Sequence, residues 1–314
     1  VEGAVLGAAI GDALGYPVEF LKSVEEIRRR HGPKGVTGYV QYQQEGGHRF
    51  AEYSDDTQLA EVVLRALLWS RRRGADLDET MRHMAEQFVA WSREPLGGHR
   101  APGNACLAGC RALARGIPWN QAGGEDAGGC GSVMRAYPFG IVFASAPERA
   151  ETWAVEHSKL THRAPIALAA CAAMARAVAS ALHDSTARAM VAEMIAAAAR
   201  HDAETASMID DAIDRARTGE PPDSVLSRYL GWAAHDAIAA AAYVFTRHPD
   251  DPRTALLEAV NSPGDSDSIG TLVGALVGAR CGLDALPATW IEEVERSAEL
   301  LALAREAADL LPSC

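Results

Sequence analysis

Aromatic side chains are scarce in this chain: Phe, Trp and Tyr together make up 6% of its 314 residues. Apolar–polar alternation of the strand type is almost absent too, which leaves little for a half-buried sheet. Alanine fills many segments, the composition is 48% hydrophobic, and closely packed helices suit that better than strands. Positive charge is also short, with 30 Lys and Arg against 42 Asp and Glu, a formal net charge of −12. Such a balance argues against a nucleic-acid surface and against contact with an anionic membrane. The two basic runs, residues 28–30 and 71–73, fall near predicted helix C-termini, where cations complement the helix dipole. Residues 269–279, an apolar run near the C-terminus, are too few to span a bilayer. No basic segment followed by an apolar run and a cleavage site is visible. None of the six cysteines (Cys106, Cys110, Cys130, Cys171, Cys281, Cys314) forms a CxxC pair. A zinc site would need a second ligand pair that the sequence does not offer. Free thiols in a reducing cytoplasm are the expectation.

Periodic apolar spacing predicts helices over residues 3–14, 57–73 and 78–92, and another starting near Asn104. Further helices are predicted over 132–144, 147–160, 163–182, 185–200, 205–218, 232–246, 251–261, 268–282 and 290–311. Residues 32–50, rich in Gly, Gln and Tyr, read as a loop with room for a short strand, lying over the functional site. Residues 116–131 form a long turn-rich loop, which in a compact domain points to function. Gly3, Gly7 and Gly11 recur at spacing four, and so do Gly270, Gly274 and Gly278. Glycine at that spacing lowers helix propensity but makes a flat face that another helix can approach closely. No linker or composition shift divides the chain, so the expectation is an all-α fold in one domain, residues 1–314.

Two acidic clusters carry the chemistry. Residues 264–268 read Gly-Asp-Ser-Asp-Ser after a proline, and residues 54–57 read Ser-Asp-Asp-Thr. Each opens a predicted helix. Asp265 and Asp267, like Asp55 and Asp56, crowd carboxylates that repel unless a cation or hydrogen bonds neutralise them. Hard divalent ions such as Mg²⁺, Mn²⁺ or Ca²⁺ take such oxygen donors. Helix capping is the alternative for Ser54 and Ser268, but a cap does not need two adjacent acids. The two clusters together suggest one shared site holding one or two ions.

Four segments in order along the chain resemble the ADP-ribosylglycohydrolase family: residues 3–20 (GAVLGAAIGDALGYPVEF), 54–58, 128–135 (GGCGSVMR) and 261–282. Thr161-His162 before an apolar helix is a fifth. The resemblance implies a helical domain and a hydrolase that removes ADP-ribose from a modified acceptor, by attack of a metal-activated water on the anomeric carbon. It implies two Mg²⁺ (or Mn²⁺) ions, held by Ser54, Asp55 and Asp56 on one side and Asp265, Asp267 and Ser268 on the other. Glu19 aligns with an acid near the ribose, where it could serve as general base or orient the water; a solvated acid is the alternative. Catalytic roles therefore fall on Glu19, Asp55, Asp56 and Asp267. Gly128, Gly129, Cys130, Gly131 and Ser132 match a loop whose amides meet a pyrophosphate. Cys130 stands where the family often has Asn, and the chemistry needs no thiol. His162 is placed for hydrogen bonding to substrate, with a capping or core role as the alternative.

Met134 and Arg135 read as packing or ion-pairing residues, and Asp12 as a hydrogen-bonding support. Trp232 and Tyr243, eleven apart, could share a helix face and offer a ring to adenine, or be core. Family prevalence makes protein arginine the first acceptor, with serine, a nucleobase or O-acetyl-ADP-ribose behind it, and a non-catalytic ADP-ribose-binding protein as a different class. One departure bears on this choice. Arginine-type members often carry an Asp-x-Gly-x-Thr-Thr segment where this chain reads Ala101-Pro102-Gly103-Asn104-Ala105-Cys106, so no acid is supplied there.

Overall fold

Gly3, Gly7 and Gly11 face Gly278, Gly274 and Gly270 in the computed structural model, which describes residues 1–311. They lie on the helices Glu2–Gly15 and Ser266–Cys281, whose backbones approach so closely that a β-carbon added at Gly7 would collide with the carbonyl of Gly274. Each glycine costs its helix roughly 1 kcal/mol relative to alanine, and backbone-to-backbone packing along the whole pair offsets that. Every residue from Ser266 to Ala279 is buried. This helix pair is the axis on which the remaining elements assemble.

The described residues hold seventeen α-helices, three short 3₁₀ helices and one two-stranded hairpin, Gln43–Glu45 with His48–Phe50. The all-α expectation is met. One continuous apolar core reaches from Ala4 to Ala307. Among the described residues no helix is long and apolar enough to cross a membrane. Cys106, Cys110, Cys130, Cys171 and Cys281 are unpaired thiols, and Cys314 lies outside the described residues. The two arginine runs end the helices Val24–His31 and Asp55–Arg73, as the dipole argument requires.

Several boundaries differ from expectation, each for a local or long-range reason. The helix predicted over 132–144 is a 3₁₀ turn, Cys130–Arg135, followed by Tyr137–Val142. Pro138 lacks an N–H and so must sit in the first turn of a helix rather than inside one. The helix predicted over 290–311 is broken into Ala288–Glu293 and Ser297–Asp309. Between them Val294 pairs with Ala51 as a parallel bridge, and Arg296 takes a left-handed conformation at φ 51°. No sequence period reports a pairing across more than two hundred residues. Residues 32–50 do not cover the site. Tyr39 donates to the Trp290 carbonyl, Tyr42 and Arg49 reach Glu293, and the hairpin is thereby held on the C-terminal segment.

Candidate active site

The helix Asp55–Arg73 begins under the control of a residue 42 positions before its N-cap. Asp12, wholly buried, accepts from the Ser54 amide (2.8 Å), the Thr57 amide (2.9 Å) and the Thr57 hydroxyl (2.6 Å). It satisfies amides that a helix start leaves without partners and fixes where the next residues point. Ser54 is the N-cap, its hydroxyl accepting from the Asp56 amide at 3.2 Å, so the capping alternative is realised there. Asp55 and Asp56 are thus freed of capping duty.

The second cluster behaves differently. Asp265 occupies the N-cap position of Ser266–Cys281 yet makes no side-chain cap hydrogen bond. Its amide holds the loop instead, donating to the Leu230 carbonyl at 2.8 Å, while Gly264 exchanges backbone hydrogen bonds with Phe20 and Leu21. These bonds pin the exit of the first helix, with Glu19, against the start of this one. Gly15 has no room for a side chain, since a β-carbon there would stand 2.5 Å from the Asp267 Cα. Ser268 donates to Asp56 Oδ2 at 2.9 Å and joins the two clusters; it caps nothing.

Glu19, Asp265 and Asp267 each offer a carboxylate oxygen within 4.8 Å of the others. Asp55 and Asp56 line the same cavity of about 490 Å³. Burial, and then the charge of Asp267, pushes the carboxyls of Asp55, Asp56 and Asp265 well above their usual range. Burial also raises Asp267. Glu19 is pushed up to about 11 by burial and by Asp267 and Asp265, and Asp12 to about 7 by burial and Asp267. Asp267 Oδ1 and Glu19 Oε2 are buried without a hydrogen-bond partner among the described residues. Clustered, repelling oxygens with two orphaned acceptors suit a hard divalent cation, and the residues present fit one. A groove elsewhere, near Arg28, Asp223 and Glu258, lacks this character, because Arg28 pairs with Asp223 and Glu258 with Arg247 and His248.

The glycine-rich loop reaches the same cavity from the other side. The Gly128 carbonyl accepts from Ala234, and the Cys130 amide donates to Trp232, so these two are spent on anchoring the loop. The amides of Gly129 and Gly131 have no acceptor among the described backbone hydrogen bonds outside helices. His162 stands beside them: its Nε2 is 3.4 Å from a β-carbon position at Gly131 and 3.6 Å from one at Gly129. Burial, then Arg135, lowers its imidazole to about 3, so the ring is neutral at physiological pH. Ser132 departs from expectation. Its side chain is buried and hydrogen-bonded to the Ser158 hydroxyl at 2.9 Å, which turns it into the core; Gly128, Gly129 and Ser132 support the loop without lining the cavity.

Cys130 lines the cavity, and its thiol donates to Asp265 Oδ2 at 2.7 Å. Burial, then Asp265 and Asp56, holds the thiol well above the usual range. A protonated sulfur is a poor nucleophile. Cys130→Ser replaces one donor by another and is expected to keep most of the hydrolytic activity that the family resemblance implies. A variant that folds and binds substrate but does not turn over would assign the attack to the thiol.

Sequence reasoning missed some of the cavity wall. Phe20, left-handed at φ 70°, stacks on Trp232 with centroids 5.3 Å apart and an interplanar angle of 21°. Both rings line the cavity and both are exposed. Trp232 precedes the helix Ala234–Arg247 rather than lying in it, while Tyr243 is wholly buried and donates to the Glu220 carbonyl. The two therefore share no face: Tyr243 is core, and Trp232 belongs to the site. Arg135 forms no ion pair among the described residues; it is fully buried and its guanidinium lies over Phe88, 4.7 Å from the ring centroid. Residues 101–104 and Cys106 complete the wall and add no carboxylate.

Comparison with known proteins gives a family model described as ADP-ribosylglycohydrolase, matching residues 1–313. The chain is 26% identical to the ADP-ribosyl-[dinitrogen reductase] glycohydrolase of Rhodospirillum rubrum, over 95% of this chain and 90% of that one. It is 28% identical to the ADP-ribosylarginine hydrolase Tri1 of Pseudomonas putida, over 99% of this chain and 78% of the other. Among solved structures, one titled ADP-ribosylglycohydrolase-related protein complex superposes with a TM-score of 0.71 at 28% identity, covering 98% of this chain and 96% of that chain.

Proposed function

This chain belongs to the ADP-ribosylglycohydrolase family, and we propose that it hydrolyses the bond between the anomeric carbon of ADP-ribose and an acceptor, most directly a protein arginine. The observation that carries this reading is that four buried aspartates and Glu19 share one cavity with Gly131, whose amide is open, and with His162, while the open amide of Gly129 lies just behind that wall beside His162. Bound by Asp55, Asp56, Asp265, Asp267 and Ser268, with Ser54 behind them, two Mg²⁺ or Mn²⁺ ions would supply positive charge against the carboxylates and Lewis acidity toward hydroxyls and water. The protein's own groups do the rest. The Gly129 and Gly131 amides and His162 bind the phosphates, and the Phe20–Trp232 rings offer a flat apolar surface to the adenine. Divalent charge beside Asp265 and Asp267 would offset the repulsion that keeps Glu19 protonated, and in its ionised form Glu19, whose Oε2 has no partner among the described residues, takes the proton from the attacking water and orients it toward the sugar. A core running from Ala4 to Ala307 supports treating residues 1–314 as one domain.

Glu19→Gln keeps shape and removes the basic oxygen, so kcat is expected to fall by about 10²–10⁴-fold while the affinity for ADP-ribose changes little. Near wild-type turnover would remove Glu19 from the mechanism. The acidic site also predicts a pH dependence. In protein stripped of divalent ions, Asp12 titrates near 7 in the fold and at about 3.9 when unfolded. Between those values only the folded state holds the proton, so stability is lost as pH rises through that window; Glu19, raised further, extends the loss upward. Thermal melts of chelated protein should show Tm falling from pH 5 to pH 8. Mg²⁺ or Mn²⁺ should restore it most at pH 8, and no response to either ion at millimolar concentration would count against a metal site.

Serine is the second acceptor to consider, because residues 101–104 and Cys106 present no carboxylate to a guanidinium on their side of the cavity. Incubation with peptides carrying ADP-ribose on arginine or on serine, with ADP-ribose release followed by chromatography, decides between them. Binding of ADP-ribose with no release from any linkage would make this a binding protein instead.

A further inference from the structure

His162 does not stand alone beside the glycine loop. Its Nδ1 lies 2.7 Å from the hydroxyl of Thr161, and that hydroxyl is 2.6 Å from Nη2 of Arg135. A guanidinium only donates, so the Thr161 oxygen accepts from Arg135. The hydroxyl proton then needs an acceptor. Thr161 is buried, and among the described residues His162 Nδ1 is the one atom placed to take it. If Nδ1 carried a proton instead, two donors would meet at the Thr161 oxygen, and its own hydrogen would be buried without a partner. The arrangement that satisfies every atom puts the ring proton on Nε2. That nitrogen has no partner among the described residues, and it faces the Gly129–Gly131 turn on the cavity wall. The backbone of His162 is held too: its amide donates to the Ser158 carbonyl (2.7 Å) and its carbonyl accepts from Ser158 Oγ (3.0 Å). Arg135 in turn is anchored from below by the Gly131 carbonyl and the Cys106 sulfur.

We propose that Arg135 is a positioning residue for the anion site, acting through Thr161 to lock His162 as the Nε2–H tautomer, with that N–H aimed beside the Gly129 and Gly131 amides as a third donor to the diphosphate of the ligand. The inference rests on the reading of this cavity as an ADP-ribose site. It assigns a task to a buried arginine that has no ion pair among the described residues, a costly feature for a fold to keep without use. Hydrogen bonds from second partners that fix a histidine tautomer are a general device. Because the ring is neutral, the donor neither appears nor disappears across the physiological pH range.

Long-range ¹H–¹⁵N correlation spectra of the full chain report the tautomer directly, with His162→Gln identifying the signal. The expected pattern is a protonated Nε2 and an unprotonated Nδ1 in wild type. Thr161→Val keeps the side-chain shape but breaks both bonds; the expected result is loss of the single tautomer, about tenfold weaker ADP-ribose binding by calorimetry, a raised KM and a nearly unchanged kcat. Thr161→Ser keeps the hydroxyl and should restore both the spectrum and the affinity to within about twofold. A proton on Nδ1 in wild type, or a Thr161→Val protein with wild-type tautomer and affinity, would overturn the proposal. Failure of wild type to bind ADP-ribose would instead overturn the reading of the cavity, and the nitrogen shifts would still decide whether the relay exists.

Discussion

Asp267→Ala is expected to take hydrolysis down to the uncatalysed background while making the ion-free protein more, not less, stable. Asp267 carries a buried oxygen without a partner, and its charge is the first Coulombic contribution that raises Asp55, Asp56, Asp265 and Glu19. Removing it relieves repulsion among four neighbours, so Tm in chelator should rise. The same change deletes an ion ligand, so the increase in Tm on adding Mg²⁺ should shrink. A structural aspartate predicts the reverse, a lower Tm with activity largely kept. Activity, melts in chelator and melts in Mg²⁺ on one variant separate the two.

The second large effect lies away from the site. Gly274→Ala would drive a methyl into the carbonyl of Gly7, and backbone cannot swing aside as a side chain can. Overpacking of a core costs about 1–3 kcal/mol and occasionally more; here both colliding partners are main chain, so about 3 kcal/mol or greater is expected. For a chain of this size that lowers Tm by roughly 5–10 °C. Gly38→Ala is the control. Its φ is ordinary and the nearest atom is 3.7 Å away, so Tm should hardly move. The opposite ranking would show that the glycine spacing is not what lets the two helices meet. Because Gly15 on the same face packs on the Asp267 backbone, loosening this pair should also lower activity.

Local patterns foretold what local physics controls. Glycine at spacing four predicted that each of the helices Glu2–Gly15 and Ser266–Cys281 would take a close helical neighbour, and the structure makes them each other's; the paired acids predicted that Asp55, Asp56, Asp265 and Asp267 would share one site, and they line one cavity. Asp12, read as a hydrogen-bonding support, is one. Relations set by distant partners were hidden. The break at Val294 depends on Ala51, and the inward turn of Ser132 depends on Ser158. Trp232 left its helix because its carbonyl accepts from Cys130. Arg135, read as a packing or ion-pairing residue, packs over Phe88, but nothing in its neighbourhood in sequence reveals that Thr161 and Gly131 surround it. Periodicity reports the face a residue is on, not which chain segment that face meets.

ADP-ribose release from a mono-ADP-ribosylated arginine peptide, measured with Mg²⁺, then in excess EDTA, then after Mn²⁺ or Mg²⁺ is returned, tests the central claim most directly. The account predicts turnover, its loss in chelator and its recovery on adding the ion back, with none of the three in Asp267→Ala. Release that persists undiminished in EDTA, or that survives loss of Asp267, would contradict it.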